Sequence, residues 1–143
     1  MDEDSIKLLK ECNAGCKMAI DSMEQVMEYA MEESLKQLMK EYKEEHLTLE
    51  REAGELLRKL GAEEKEPGRA ASAMSWLTTE MKLMMKNDEH QVAKLMMDGC
   101  NMGVQSICKY QNQYENASEE SRKLAKKIVA AEEKFMKKME AYL

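Results

Sequence analysis

Apolar residues recur at alternating intervals of three and four through four long stretches of this chain, and a single proline, Pro67, interrupts them. With about 3.6 residues per turn, that spacing returns side chains to one face of a helix and makes each stretch a helix with one buried stripe. The first stripe reads Leu9, Cys12, Cys16, Ala19, Met23, Val26 and Ala30 and predicts a helix over residues 4–31, with Asp2, Glu3 and Asp4 placing negative charge at its positive end. The second carries Leu35, Met39, Tyr42, His46, Leu49, Ala53, Leu56 and Leu60, and Gly61 is its natural stop. A third runs through Ala93, Met96, Met97, Cys100, Val104, Ile107, Gln111 and Tyr114 after an N-cap at Asn87 or Asp88. The last passes through Leu124, Ile128, Ala131, Phe135, Met139 and Tyr142 after an N-cap at Ser118.

The break between the second and third stripes is "GAEEKEPGR", residues 61–69, where Pro67 and Gly68 exclude regular helix. A shorter helix is expected over 70–86, with Met74, Leu77, Met81, Leu83 and Met84 among its apolar positions and Trp76 as the only tryptophan. The stripes also repeat. Shifting the first by 88 residues superposes Cys12 on Cys100, Asn13 on Asn101, Gly15 on Gly103 and Cys16 on Val104. Shifting the second by 89 places Leu35 on Leu124, Tyr42 on Ala131 and His46 on Phe135. The unit is a helical hairpin present twice, and the long link over about 61–87 carries the chain from one hairpin to the other. Two hairpins joined in this way predict an all-α four-helix bundle of the ferritin type, pseudo-symmetric, with an extra crossover helix and a single domain over 1–143.

Composition narrows the function classes. The chain has 143 residues, enough for a core that needs no staple. Its net charge of -6, with lysines interleaved among glutamates, offers no footprint for a phosphate backbone, so no nucleic-acid partner is expected. No uncharged stretch is long enough to span a bilayer and no signal peptide opens the sequence, so a cytoplasmic protein without a membrane partner is expected. Four cysteines set inside helices read as reduced thiols, and 15 methionines read as gap-fillers of a helical core.

At the level of layout, the two hairpins, the "LLRKLGAEE" that closes the second helix and the crossover helix resemble the ferritin-like superfamily, specifically a rubrerythrin-related group of small bacterial domains of unknown function. That resemblance implies a di-iron centre built from Gly-Glu steps on the first and third bundle helices and Glu-x-x-His on the second and fourth. Here Gly15 precedes Cys16 and Gly103 precedes Val104, while the other positions read Lys43-x-x-His46 and Glu132-x-x-Phe135. Only His46 and Glu132 keep a ligand of that set, too few for two irons, so neither a bound metal nor any other cofactor is expected and the middle layer is expected to be dry and aliphatic.

Cys16, His46 and Glu132 are the residues a metal would use if one were bound, and a soft-metal or redox bundle is the competing reading. Cys12 and Cys16 lie one turn apart, whereas Cys12 and Cys108 are the nearest candidates for a thiol pair between helices. Cys12 and Cys100 should be displaced in opposite directions from the centre, each by about 6 Å for four residues, and should not meet. His46 reads as a core histidine bonded to a carboxylate or backbone group, and His90 as solvated. No nucleophile–base pair or phosphate loop is visible. The function expected from the residues is a bundle without a complete di-iron site, acting as a structural or protein-interaction module, with an apolar face at Trp76, Leu77, Leu83 and Met84 as the expected interface of a homodimer or with a protein partner. A crossover pocket for an apolar ligand stays open.

Overall fold

The computed structural model describes residues 2–66 and 78–143. Among these residues the chain is helical and contains no strand: α1 spans Asp2–Met27, α2 Glu33–Lys59, α3 Thr79–Met85, α4 Glu89–Gln113 and α5 Glu119–Met139, with a closing 3-10 turn at Glu140–Tyr142. Trp76, Leu77 and Met74 lie outside the described residues, so the expected crossover helix is seen only as α3.

Chain chemistry sets the boundaries. α1 ends four residues before Met31, where Tyr29 N–H and Ala30 N–H turn back to the Val26 and Met27 carbonyls at 2.9 and 3.2 Å. α2 closes in a Schellman turn: Gly61 adopts φ 72°, its N–H meets the Arg58 carbonyl at 3.0 Å, and Ala62 N–H meets the Leu57 carbonyl at 2.9 Å. Asp88 caps α4, its Oδ1 accepting from the N–H groups of His90 and Gln91 at 3.1 and 3.3 Å. Ser118 caps α5 through the Ser121 N–H at 3.2 Å. The α4–α5 turn is also tied to the start of α1, because Ser118 N–H donates to Ser5 Oγ at 2.7 Å and Asn116 N–H to Asp4 Oδ2 at 3.0 Å.

α1 packs on α2 and α4 on α5, and the hairpins join through α2 against α5 and α1 against both later helices. Two apolar clusters fill the interior. One gathers Met23 and Val26 of α1, Leu35 and Met39 of α2, Val92 and Met96 of α4, and Phe135 and Met139 of α5. The other gathers Leu8, Cys12 and Cys16 with Leu49, Leu57, Ile107, Leu124 and Ile128. Hence α2 ends in the second cluster while α4 begins in the first, at opposite ends of the bundle.

The chain just after α2 is pinned. Asn13, fully buried on α1, donates through Nδ2 to the Glu50 carbonyl at 3.3 Å and to Glu64 Oε1 at 3.0 Å, and its Oδ1 accepts from Lys65 N–H at 3.2 Å. Lys17 reaches Glu66 at 2.8 Å and Lys65 pairs with Glu11, so residues 64–66 run along α1. Gly54 makes room for this strap, since a Cβ there would stand 2.8 Å from Glu64 Oε1.

Candidate functional site

Between the two apolar clusters lies a polar layer. Tyr42 and His46 stand four apart on α2 and therefore share its inward face; their rings stack with centroids 3.9 Å apart, and Phe135 closes on Tyr42 at 4.6 Å. Glu132 enters from α5. It is 4 % exposed and His46 is 1 % exposed, so both groups are cut off from water and must satisfy one another.

The hydrogen bonds do so. His46 Nδ1 meets the Tyr42 carbonyl at 2.9 Å, His46 Nε2 meets Glu132 Oε1, and the Tyr42 hydroxyl donates to the same oxygen at 2.6 Å. A carbonyl oxygen only accepts, so Nδ1 carries a proton. One further proton lies between Nε2 and Oε1, giving either imidazolium with carboxylate or imidazole with carboxylic acid. Both forms leave the layer neutral as a whole. Cys100 of α4 is buried against this layer, close enough for Glu132 and Tyr42 to act on its thiol. Gly103, one turn further along α4, lets the carboxylate in: a Cβ there would lie 3.2 Å from Glu132 Oε2.

Electrostatics hold the surrounding acids in their protonated forms. Burial, reinforced by the Glu132 charge, pushes the Tyr42 hydroxyl well above its ordinary range. The same two causes raise the Cys100 thiol. Cys16 is raised by burial first and then by Cys12 and Glu132, and burial pushes Cys12 up to about 12. A thiol so held is a poor nucleophile and a poor soft-metal ligand, because both roles need the thiolate.

Of the sequence candidates, His46 and Glu132 are brought into direct contact, and Cys16 lies close enough to feel the Glu132 charge. The middle layer is therefore not aliphatic as expected from the stripes. The correction comes from Tyr42, His46 and Glu132, whose polar atoms are paired with one another rather than replaced by hydrocarbon. Cys12 is buried and Cys108 exposed, both as free thiols, while Cys12 and Cys100 fall in different clusters. Leu83 and Met84 are exposed on α3, at 67 % and 55 %. His90 is exposed and its Nδ1 meets the Tyr142 carbonyl at 3.0 Å.

The residues do not fit a di-iron centre. Both His46 nitrogens are engaged, Glu132 Oε1 already takes two partners, and Val104 and Phe135 have no donor atom. Lys43 turns away to pair with Glu24 at 2.9 Å. Among the described residues no group of three or more His, Cys, Asp or Glu side chains is arranged to hold a metal ion. Sequence reasoning placed Tyr42 on the stripe without a role and missed Asn13 as an anchor of hydrogen bonds and Gly103 as the space for the Glu132 carboxylate. The available signal was two polar rings at i and i+4 on an otherwise apolar face, which call for a buried acceptor opposite.

No known protein family, curated protein or solved structure matches this chain.

Proposed function

We propose that the chain is a ferritin-like bundle without a di-iron centre, serving in the bacterial cytoplasm as a structural or protein-interaction module, with a homodimer as its simplest assembly. The observation that carries this reading is the self-satisfied middle layer: His46, Glu132 and Tyr42 use their polar atoms on each other. A metal would have to break these contacts before gaining its own. That α2 ends and α4 begins at opposite ends of the bundle supports the ferritin-like arrangement, and Leu83 and Met84 supply apolar surface beyond the chain's own core.

Elemental analysis of protein purified without chelator tests the first half of this proposal, and light scattering after size exclusion tests the second. The expected results are metal far below one ion per chain and a dimer that Leu83→Glu with Met84→Glu converts to monomer. Stoichiometric iron, manganese or copper overturns the metal-free reading. A strict wild-type monomer overturns the homodimer.

A further inference from the structure

Methionine is unevenly shared between the two halves of the core. Met23, Met39, Met85, Met96 and Met139 are buried in the first cluster, with Met27, Met81, Met97 and Met136 packed against it, whereas the second is built from Leu, Ile, Ala, Cys, Val and Tyr and holds no methionine among the described residues. The smallest helix belongs to the methionine-rich half. α3 has seven residues and packs chiefly on α4; it turns Met85 fully inward, at 1 % exposure, and Met81 partly inward, with Leu83 and Met84 outside. A helix this short does not persist without tertiary contacts, so its seat rests on the two inward thioethers, helped by the Thr78 cap, whose Oγ1 accepts from Met81 N–H at 3.2 Å.

We propose that α3 is a peroxide-sensitive lid, with Met81 and Met85 as its modification sites. The thioether sulfur attacks the terminal O–H oxygen of a hydroperoxide; the O–O bond breaks as the S–O bond forms, the proton of the attacked oxygen passes to the leaving oxygen, the sulfur is oxidised to sulfoxide, and the peroxide is reduced to water or alcohol. A sulfoxide is a polar acceptor in place of a flexible apolar group. Returning it beneath α3 would bury that oxygen in the first cluster, of whose buried side chains only Tyr42, already donating to Glu132, and Cys100 carry a donor. Oxidised α3 therefore stays lifted and leaves the methionine-lined end of the bundle open to solvent. This rests on the interaction reading only for its consequence, which is fresh apolar surface for a partner; the lid itself is tested separately.

The experiment exposes the full chain to dilute hydrogen peroxide and follows each methionine by peptide mass spectrometry, with hydrogen exchange measured over residues 78–86. Met85 is as buried as Met23, Met39 and Met139, so static burial predicts equal protection. A lid that opens locally makes Met85 react at least about tenfold faster than those three. Exchange over 78–86 then rises in the oxidised protein while α5 stays protected. The Met81→Leu/Met85→Leu variant keeps similar side-chain volume, and its lid exchange does not respond to peroxide. Oxidation of Met85 in step with Met23, Met39 and Met139 overturns the proposal, as does equal opening of the double leucine variant. Neither failure alters the metal content or oligomeric state on which the interaction reading stands.

Discussion

Breaking the contact between His46 and Glu132 from one side strands a buried polar group, whereas replacing both sides does not. Glu132→Leu leaves His46 Nε2 and the Tyr42 hydroxyl facing an aliphatic side chain in a layer closed to water. Removing one partner of such a pair costs about 3–5 kcal/mol. His46→Phe keeps a ring to stack on Tyr42 but removes one of the groups that meet Glu132 Oε1, and a loss of about 3 kcal/mol is expected. With both changes the pair is replaced by apolar groups of comparable size. Only the Tyr42 hydroxyl then loses its carboxylate, so the double variant falls about 1–2 kcal/mol below the wild type. The two single losses therefore exceed the double by about 3 kcal/mol or more, a coupling measurable by urea unfolding followed by circular dichroism. Simple addition of the two losses would refute the closed layer.

Other expectations follow from neighbouring contacts. Gly103→Ala would ordinarily gain helix stability, yet its Cβ would lie 3.2 Å from Glu132 Oε2, and Glu132 is held in place at Oε1; a net loss of about 1 kcal/mol is expected, reversing to a gain in a Glu132→Ala background, as thermal unfolding would show. The Cys12 thiol is raised from 9.0 to about 12 in the fold, so the folded chain holds this proton more tightly than the unfolded chain. Its contribution is whole below pH 9.0 and is lost on rising towards about 12, at about 1.4 kcal/mol per pH unit; Cys12→Ala should fall less steeply by that amount in alkaline urea titrations. Asn13→Ala removes the hydrogen bonds to Glu50, Glu64 and Lys65, with an expected loss of about 1–2 kcal/mol and faster hydrogen exchange at the Lys65 amide.

The helices were legible because they rest on local spacing, and several of their ends on local caps. Gly61, Asp88 and Ser118 end or begin helices where their chemistry demands. The polar layer was less legible because it is assembled across 86 positions between His46 and Glu132, and a stripe records which face turns inward without saying what it meets there. His46 reads as a core histidine awaiting a carboxylate or a backbone group, and it has both. Tyr42 reads as bulk, although its hydroxyl is the second donor to the carboxylate. The twofold repeat also misleads at Asn13 and Asn101. The first is buried and anchors the strap, while the second is exposed on α4. The strap has no counterpart in the sequence repeat, since it follows only the second helix of the first hairpin. Segregation of methionine into one half was invisible for a related reason: along the sequence the methionines are spread through every helix, and only packing sorts them.

The most direct measurement is nitrogen-15 NMR of the His46 imidazole in protein free of added metal, repeated with ferrous ion present. A closed hydrogen-bonded layer predicts a protonated Nδ1 facing the Tyr42 carbonyl, a strongly hydrogen-bonded proton between Nε2 and Glu132, and no change of either signal with iron. An unprotonated Nδ1, or signals broadened by the ion, would show that the centre of the bundle is a ligand site rather than a sealed polar layer.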